Sequence, residues 1–231
     1  MLINGRTFAT QNMTLKSLVA ENNRLLLLME HFNIDITISD KTITDVCLEK
    51  NINPEIFTSF CNLYNGYKIE TELENSNNNI NTIIDFLENS HRYYKDEIYP
   101  EIKYYIKKLS EINNTTDVKM LEQFFDIYFN EVVTHLKYEN KRTFPYIRQL
   151  ANKQPLEIKK PVRYKMRHSD IETKLNDLKS LLLNHIKLKD QHGEKRKLLF
   201  AIFELEFDLN IHSTIEEDIL MPLVDKIEKN F

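Results

Sequence analysis

Two stretches of the chain repeat one arrangement of potential metal ligands. His135, Glu139 and Pro145 follow the pattern H-x3-E-x5-P, and so do His212, Glu216 and Pro222, each proline being followed by two apolar or aromatic residues. A spacing of four places histidine and glutamate one turn apart on the same face of a helix, so an imidazole nitrogen and a carboxylate can converge on one centre or on two adjacent ones. His91 and His168 lie on two further helical patterns. Four imidazoles and two carboxylates form a nitrogen and oxygen donor set that suits iron, manganese or zinc, with no thiolate to favour copper(I) or an iron–sulfur cluster. Two bridging carboxylates can hold two metal ions a few Å apart, leaving positions for an oxo, hydroxo or water bridge and for a small ligand.

Positioning such a set requires long helices, and the composition supplies them. Of 231 residues only 3 are glycine and 6 proline, which favours helices and argues against a glycine-dependent nucleotide fold. Four long patterns run from Ile80 to about Ile112, Val118 to Leu150, Val162 to Leu188 and Glu194 to Ile227. Each carries a stripe with steps of three and four. The stripes are Ile80, Ile84, Leu87, His91, Tyr94 and Ile98; Val118, Leu121, Phe125, Tyr128, Val132, His135 and Glu139; His168, Ile171, Leu175, Leu178 and Leu182; and Leu198, Ile202, Leu205, Leu209, His212, Glu216 and Ile219. Histidine interrupts every stripe, and a carboxylate on an apolar stripe is costly unless paired, protonated or metal-bound. Short breaks between long amphipathic helices read as an up-down-up-down four-helix bundle. Pro100 is expected to kink or divide the first helix.

A small helical domain over residues 1–69 and a polar, asparagine-rich linker over 70–79 precede the bundle of 80–231. The domain's expected helices run from Leu15 to Phe32, Thr42 to Lys50 and Pro54 to Tyr64, with Ser39 or Asp40 as cap of the second. His185 and His192 read as satisfied polar or core residues, and Glu217 and Asp218 as solvated neighbours of a ligand. Tyr94, one turn beyond His91, either faces the site, where its phenol can meet a bound small ligand, or only packs.

The net charge of −4 with mixed signs gives no polyanion-binding surface, so no nucleic-acid partner is expected. Two cysteines, Cys47 and Cys61, make no disulfide framework. No apolar run approaches a membrane span and the first residues lack a signal peptide's apolar core, so a cytoplasmic protein without a membrane partner is expected.

The paired HxxxE motifs over a four-helix pattern resemble the hemerythrin-like HHE cation-binding family, and within it most closely the di-iron proteins that repair iron–sulfur clusters (the RIC family). The N-terminal segments Asn33-Ile34-Asp35 and Thr42 to Cys47 resemble that family's small domain, so the likeness covers nearly the whole chain. The resemblance implies an all-α fold, a hemerythrin-like bundle behind a small helical domain, and two non-haem irons with an oxo or hydroxo bridge held by His91, His135, Glu139, His168, His212 and Glu216. It implies iron over manganese or zinc. It also implies O2 or NO as ligand, an iron–sulfur client protein or electron donor as partner, and a stress-response role in repairing damaged iron–sulfur centres or reducing NO or O2 species. A homodimer is compatible with it. The alternative is a module that binds, stores or senses O2, NO or iron without turnover. The chain departs from the family in one place: Thr37 and Ile38 stand where an adjacent cysteine pair is usual, which removes the vicinal dithiol.

Overall fold

In a computed structural model the described residues are 6–37, 40–68, 76–113, 115–161, 168–186 and 192–229, apart from the side chains of 112, 168 and 169. Among them the fold is all-helical, without strands, and no helix is long and apolar enough to cross a membrane. The chain forms two compact units. One comprises Met1–Asn89, Leu150–Gln154 and Asp218–Phe231, the other Ser90–Gln149 and Pro155–Glu217.

The first unit opens with α1 (Leu15–Glu21) and α2 (Leu25–His31). These divide what the hydrophobic pattern presents as one helix. The break falls at Asn22, a buried residue whose side-chain amide donates to the carbonyl of Tyr64 and to Oδ1 of Asn65. An asparagine committed to such distant acceptors competes with continued helix. α3 (Ile43–Glu49) is capped by Thr42 rather than by Ser39 or Asp40. Thr42 and Asp45 exchange hydrogen bonds as a capping box, which satisfies two of the helix's unpaired N–H groups; Ser39 lies outside the described residues. α4 (Pro54–Tyr64) starts as its sequence indicates, with Asn53 as cap and Pro54 in the first turn.

α4 packs on α2 and α3. Phe32, Phe57, Phe60 and Phe86 interlock with ring centroids 4.9 to 5.6 Å apart. Asn62 pins the N-terminal stretch by bonding both the N–H and the carbonyl of Ala9.

Cys47 and Cys61 are free and fully buried in this unit. Burial pushes the Cys47 thiol up to about 12 and raises that of Cys61 well above its ordinary value. At neutral pH the native Cys47 therefore carries about 1000-fold less thiolate than an exposed cysteine. Both thiols are expected to ignore a disulfide reagent in the native protein and to react fully on unfolding; prompt native labelling would contradict their burial. The unfolded chain ionises above about pH 9 and the native Cys47 only near 12, so this contribution to stability is intact below 9 and is lost as pH rises between the two.

α5 (Asn77–Tyr93) begins within the asparagine-rich stretch, where Asn53 donates to the buried Asn79. A π-helical turn, Tyr94–Ile98, continues it into α6 (Tyr99–Ile112). α7 (Thr116–Tyr138) passes through a second π turn, Glu139–Thr143, into α8 (Phe144–Ala151). α9 is His168–Asn184. α10 (His192–Thr214) leads through a third π turn, Ile215–Leu220, into α11 (Met221–Glu228).

In the second unit α6 packs on α7 and α10, and α9 packs on the same two helices. On α7, α9 and α10 the buried faces are the stripes read from the sequence, whereas α6 buries Ile102, Ile106 and Leu109, beyond the end of its series at Ile98. Leu121, Phe125, Tyr128 and Val132 of α7 are buried, as are Leu175, Leu178 and Leu182 of α9 and Leu198, Ile202, Leu205 and Leu209 of α10. The hydroxyls of Tyr99 and Tyr128 meet at 3.0 Å, and burial holds both phenols well above their ordinary value. Lys174 pairs with Glu131 and Lys179 with Glu206 on the outer faces of α9. Such pairs contribute little energy next to the apolar seams.

Candidate metal centre

The three π turns share a cause that the sequence displays. Each ends two residues before a proline: Pro100, Pro145 and Pro222. In an α-helix a proline ring would strike the carbonyl four residues earlier, and its missing N–H would orphan that acceptor. The widened turn accommodates both: the N–H of Tyr99 reaches back five residues to the carbonyl of Tyr94, and that of Phe144 to Glu139. Pro100 therefore does not end its helix. The H-x3-E-x5-P pattern thus goes with a backbone shape as well as two potential ligands, since Glu139 opens the second π turn and Glu216 lies in the third. π turns of this kind recur at functional sites.

These segments of the second unit bring ligand side chains together from different helices. His91 comes from the last turn of α5, Glu139 from the start of the second π turn and His212 from the end of α10. One potential ligand atom from each of the three lies within 4.8 Å of the others, and all three residues are buried. Nε2 of His91 is 3.3 Å from Nε2 of His212 and 3.5 Å from Oε2 of Glu139. The cluster can chelate one metal ion.

The remaining partners of the two motifs stand beside it. Nε2 of His135 lies 2.9 Å from Oε1 of Glu139, and Nε2 of His212 lies 3.7 Å from Oε2 of Glu216. The two oxygens of Glu139 therefore address different imidazoles, Oε1 that of His135 and Oε2 that of His91. His168 opens α9, but its side chain lies outside the described residues, so its expected place among the ligands is neither met nor missed. His185 and His192 are exposed, and so are Glu217 and Asp218.

The donor set fits a hard or intermediate metal ion. Each side chain of the cluster offers imidazole nitrogen or carboxylate oxygen, and Glu139 and Glu216, with 4 % exposure or less, each lie beside an imidazole. Phe144 stacks on the ring of His91 at 5.4 Å and Tyr94 meets His212 edge-on at 5.7 Å. Burying two carboxylates costs several kcal/mol in principle, a cost that a bound cation offsets.

Three further residues serve this cluster. Asp208 is buried and accepts a hydrogen bond from the hydroxyl of Tyr94 at 2.7 Å. Tyr94 therefore gives its phenol to a carboxylate one turn before His212. Ser90 Oγ lies 2.9 Å from Nδ1 of His212, and Oδ1 of Asn140 lies 2.7 Å from Nδ1 of His91. A signal for Asp208 was present, because it extends the step of four through His212 and Glu216 one turn backwards. Ser90 and Asn140 carried none, since each is only the chain neighbour of a ligand.

No protein-family model matches the chain, and no curated protein matches it significantly.

Proposed function

We propose that the chain is a di-iron protein of hemerythrin-like architecture that acts on NO or O2 species, or on iron–sulfur centres damaged by them, during nitrosative or oxidative stress. The observation that carries this reading is the divided carboxylate of Glu139, one oxygen toward His135 and the other toward His91 and His212. A bridging carboxylate between two metal sites needs that arrangement. Glu216, one turn beyond His212, supplies the second carboxylate, and His168 is the sixth ligand by resemblance. The mutual packing of α6, α7, α9 and α10 supports the four-helix bundle. The pattern of HxxxE repeats and the resemblance built on it supply the choice of iron.

When bound, ferrous iron supplies reducing electrons and an open position for a diatomic ligand. The chain's own residues hold and shield the site. His91, His135 and His212 present ring nitrogens, Glu139 and Glu216 present carboxylate oxygens, and Phe144 and Tyr94 cover the rings of His91 and His212. Among the described residues the buried cysteines, with thiols held un-ionised, offer no exchangeable dithiol, so the proposed chemistry is metal-centred.

The test is anaerobic NO consumption by the iron-loaded chain with an electron donor in excess. Many NO molecules consumed per chain, abolished in His212→Ala, are expected. Stoichiometric uptake that stops when the sites fill indicates instead the binding and sensing module, and no uptake removes NO as the ligand.

A further inference from the structure

The first unit holds a cavity of about 220 Å3, lined only by residues between Leu15 and Lys50 and therefore by none of the candidate metal ligands. Its floor is aliphatic. Leu15 of α1, Met29 of α2 and Ile34 just beyond α2 are buried, and Val46 of α3 is half-buried. Its mouth is charged. Lys41 and Glu49 meet there, the ammonium reaching both carboxylate oxygens at 2.6 and 2.7 Å, so this pair neutralises itself. Asp35 and Lys50 also stand on the mouth and are exposed; they are opposite in sign yet form no ion pair with each other. The N–H of Thr37 donates to Asp35 at 2.7 Å, and with the Thr37 hydroxyl and the charge of Lys50 it holds this carboxyl below its ordinary value, so Asp35 is anionic at neutral pH.

We infer that this cavity binds a small aliphatic α-amino acid, with its side chain on the aliphatic floor, its ammonium at Asp35 and its carboxylate at Lys50. Charge selects the zwitterion. A monocarboxylate would satisfy Lys50 and set its own charge against Asp35; an amine would satisfy Asp35 and set its charge against Lys50. An uncharged hydrophobe would answer neither. A residue at the end of a peptide carries only one of the two charges, so the free amino acid is the better fit.

Size and polarity narrow the class further. A cavity of ~150 Å3 holds benzene, and in proportion this one takes about nine non-hydrogen atoms, the size of leucine or methionine. It lies below the ~300 Å3 at which pockets for drug-sized ligands begin. A charged or amide side chain would be buried against a floor of four apolar residues that offers it no hydrogen bond. This site and the metal centre share no residue, so the two proposals stand or fall separately.

Titration calorimetry of the full chain with L-leucine and L-methionine tests this. Saturable binding is expected, with a Kd of ~1 mM or below. Leucinamide, which lacks the carboxylate, and 4-methylpentanoate, which lacks the ammonium, should each bind ~10-fold more weakly than leucine. Glycine, without a side chain for the floor, should not saturate. Two substitutions on the exposed mouth assign the charges. Lys50→Met should weaken leucine ~10-fold without weakening leucinamide, and Asp35→Asn should weaken leucine to the same degree without weakening 4-methylpentanoate. The analogues act on the unsubstituted protein, so their comparison decides even if a variant fails to fold. No binding of leucine or methionine overturns the inference. So do analogues that bind as tightly as leucine, which would leave an apolar hollow indifferent to charge.

Discussion

Glu139→Gln is expected to weaken metal binding by at least ~100-fold, more than any substitution of a residue behind the ligands. Glutamine keeps the shape and one oxygen but loses the charge. It also replaces the other oxygen by an amide group that donates, either toward Nε2 of His135 at 2.9 Å or toward Nε2 of His91 at 3.5 Å. Either orientation opposes a metal ion with a donor where an acceptor is required. Glu217→Gln, one residue beyond Glu216 but exposed, is the matched control and should bind as the parent does. Affinity measured by chelator competition decides the matter, and equal affinities for Glu139→Gln and the parent would remove Glu139 from the site.

Metal and stability should also be linked, in a way that distinguishes a binding site from a structural ion pair. Loading at ~1000-fold excess over the dissociation constant stabilises the native state by about 4 kcal/mol, which corresponds to a rise of roughly 10 °C in Tm for a domain of this size. Chelation reverses it. Glu139→Leu should lose that gain. It removes a buried carboxylate that lies 2.9 Å from His135 and 3.5 Å from His91, so the metal-free variant is expected to melt below the metal-free parent, and metal should raise its Tm far less than the parent's. If Glu139 were only a structural partner of His135, parent and variant would respond to metal alike.

The periodic stripes were legible in advance because burial of one helix face is written in steps of three and four. Val118 through Glu139 and Leu198 through Ile219 are buried at every position of their series. The same periodicity brought His91, Glu139 and His212 forward, since polar groups on an apolar stripe need a reason. Periodicity was blind to what lies beside a stripe. Ser90 and Asn140 sit one residue off it and reach their histidines across 122 and 49 residues of chain. The break between α1 and α2 was hidden for a similar reason, because Asn22 takes its partners from Tyr64 and Asn65 at the end of α4. The prolines were a local signal read too simply. Pro100 promised a kink or an end to its helix; three prolines at one offset from three π turns show each helix continuing through one widened turn.

The most direct test of a di-iron centre is the metal content of the chain purified from iron-replete cells, repeated after anaerobic reconstitution. The expected result is roughly two irons per chain, the count that a site with bridging carboxylates holds, falling well below one in Glu139→Gln. A protein that holds no stoichiometric metal after reconstitution would contradict the assignment and leave the buried histidines and glutamates as a polar core in a helical interaction protein.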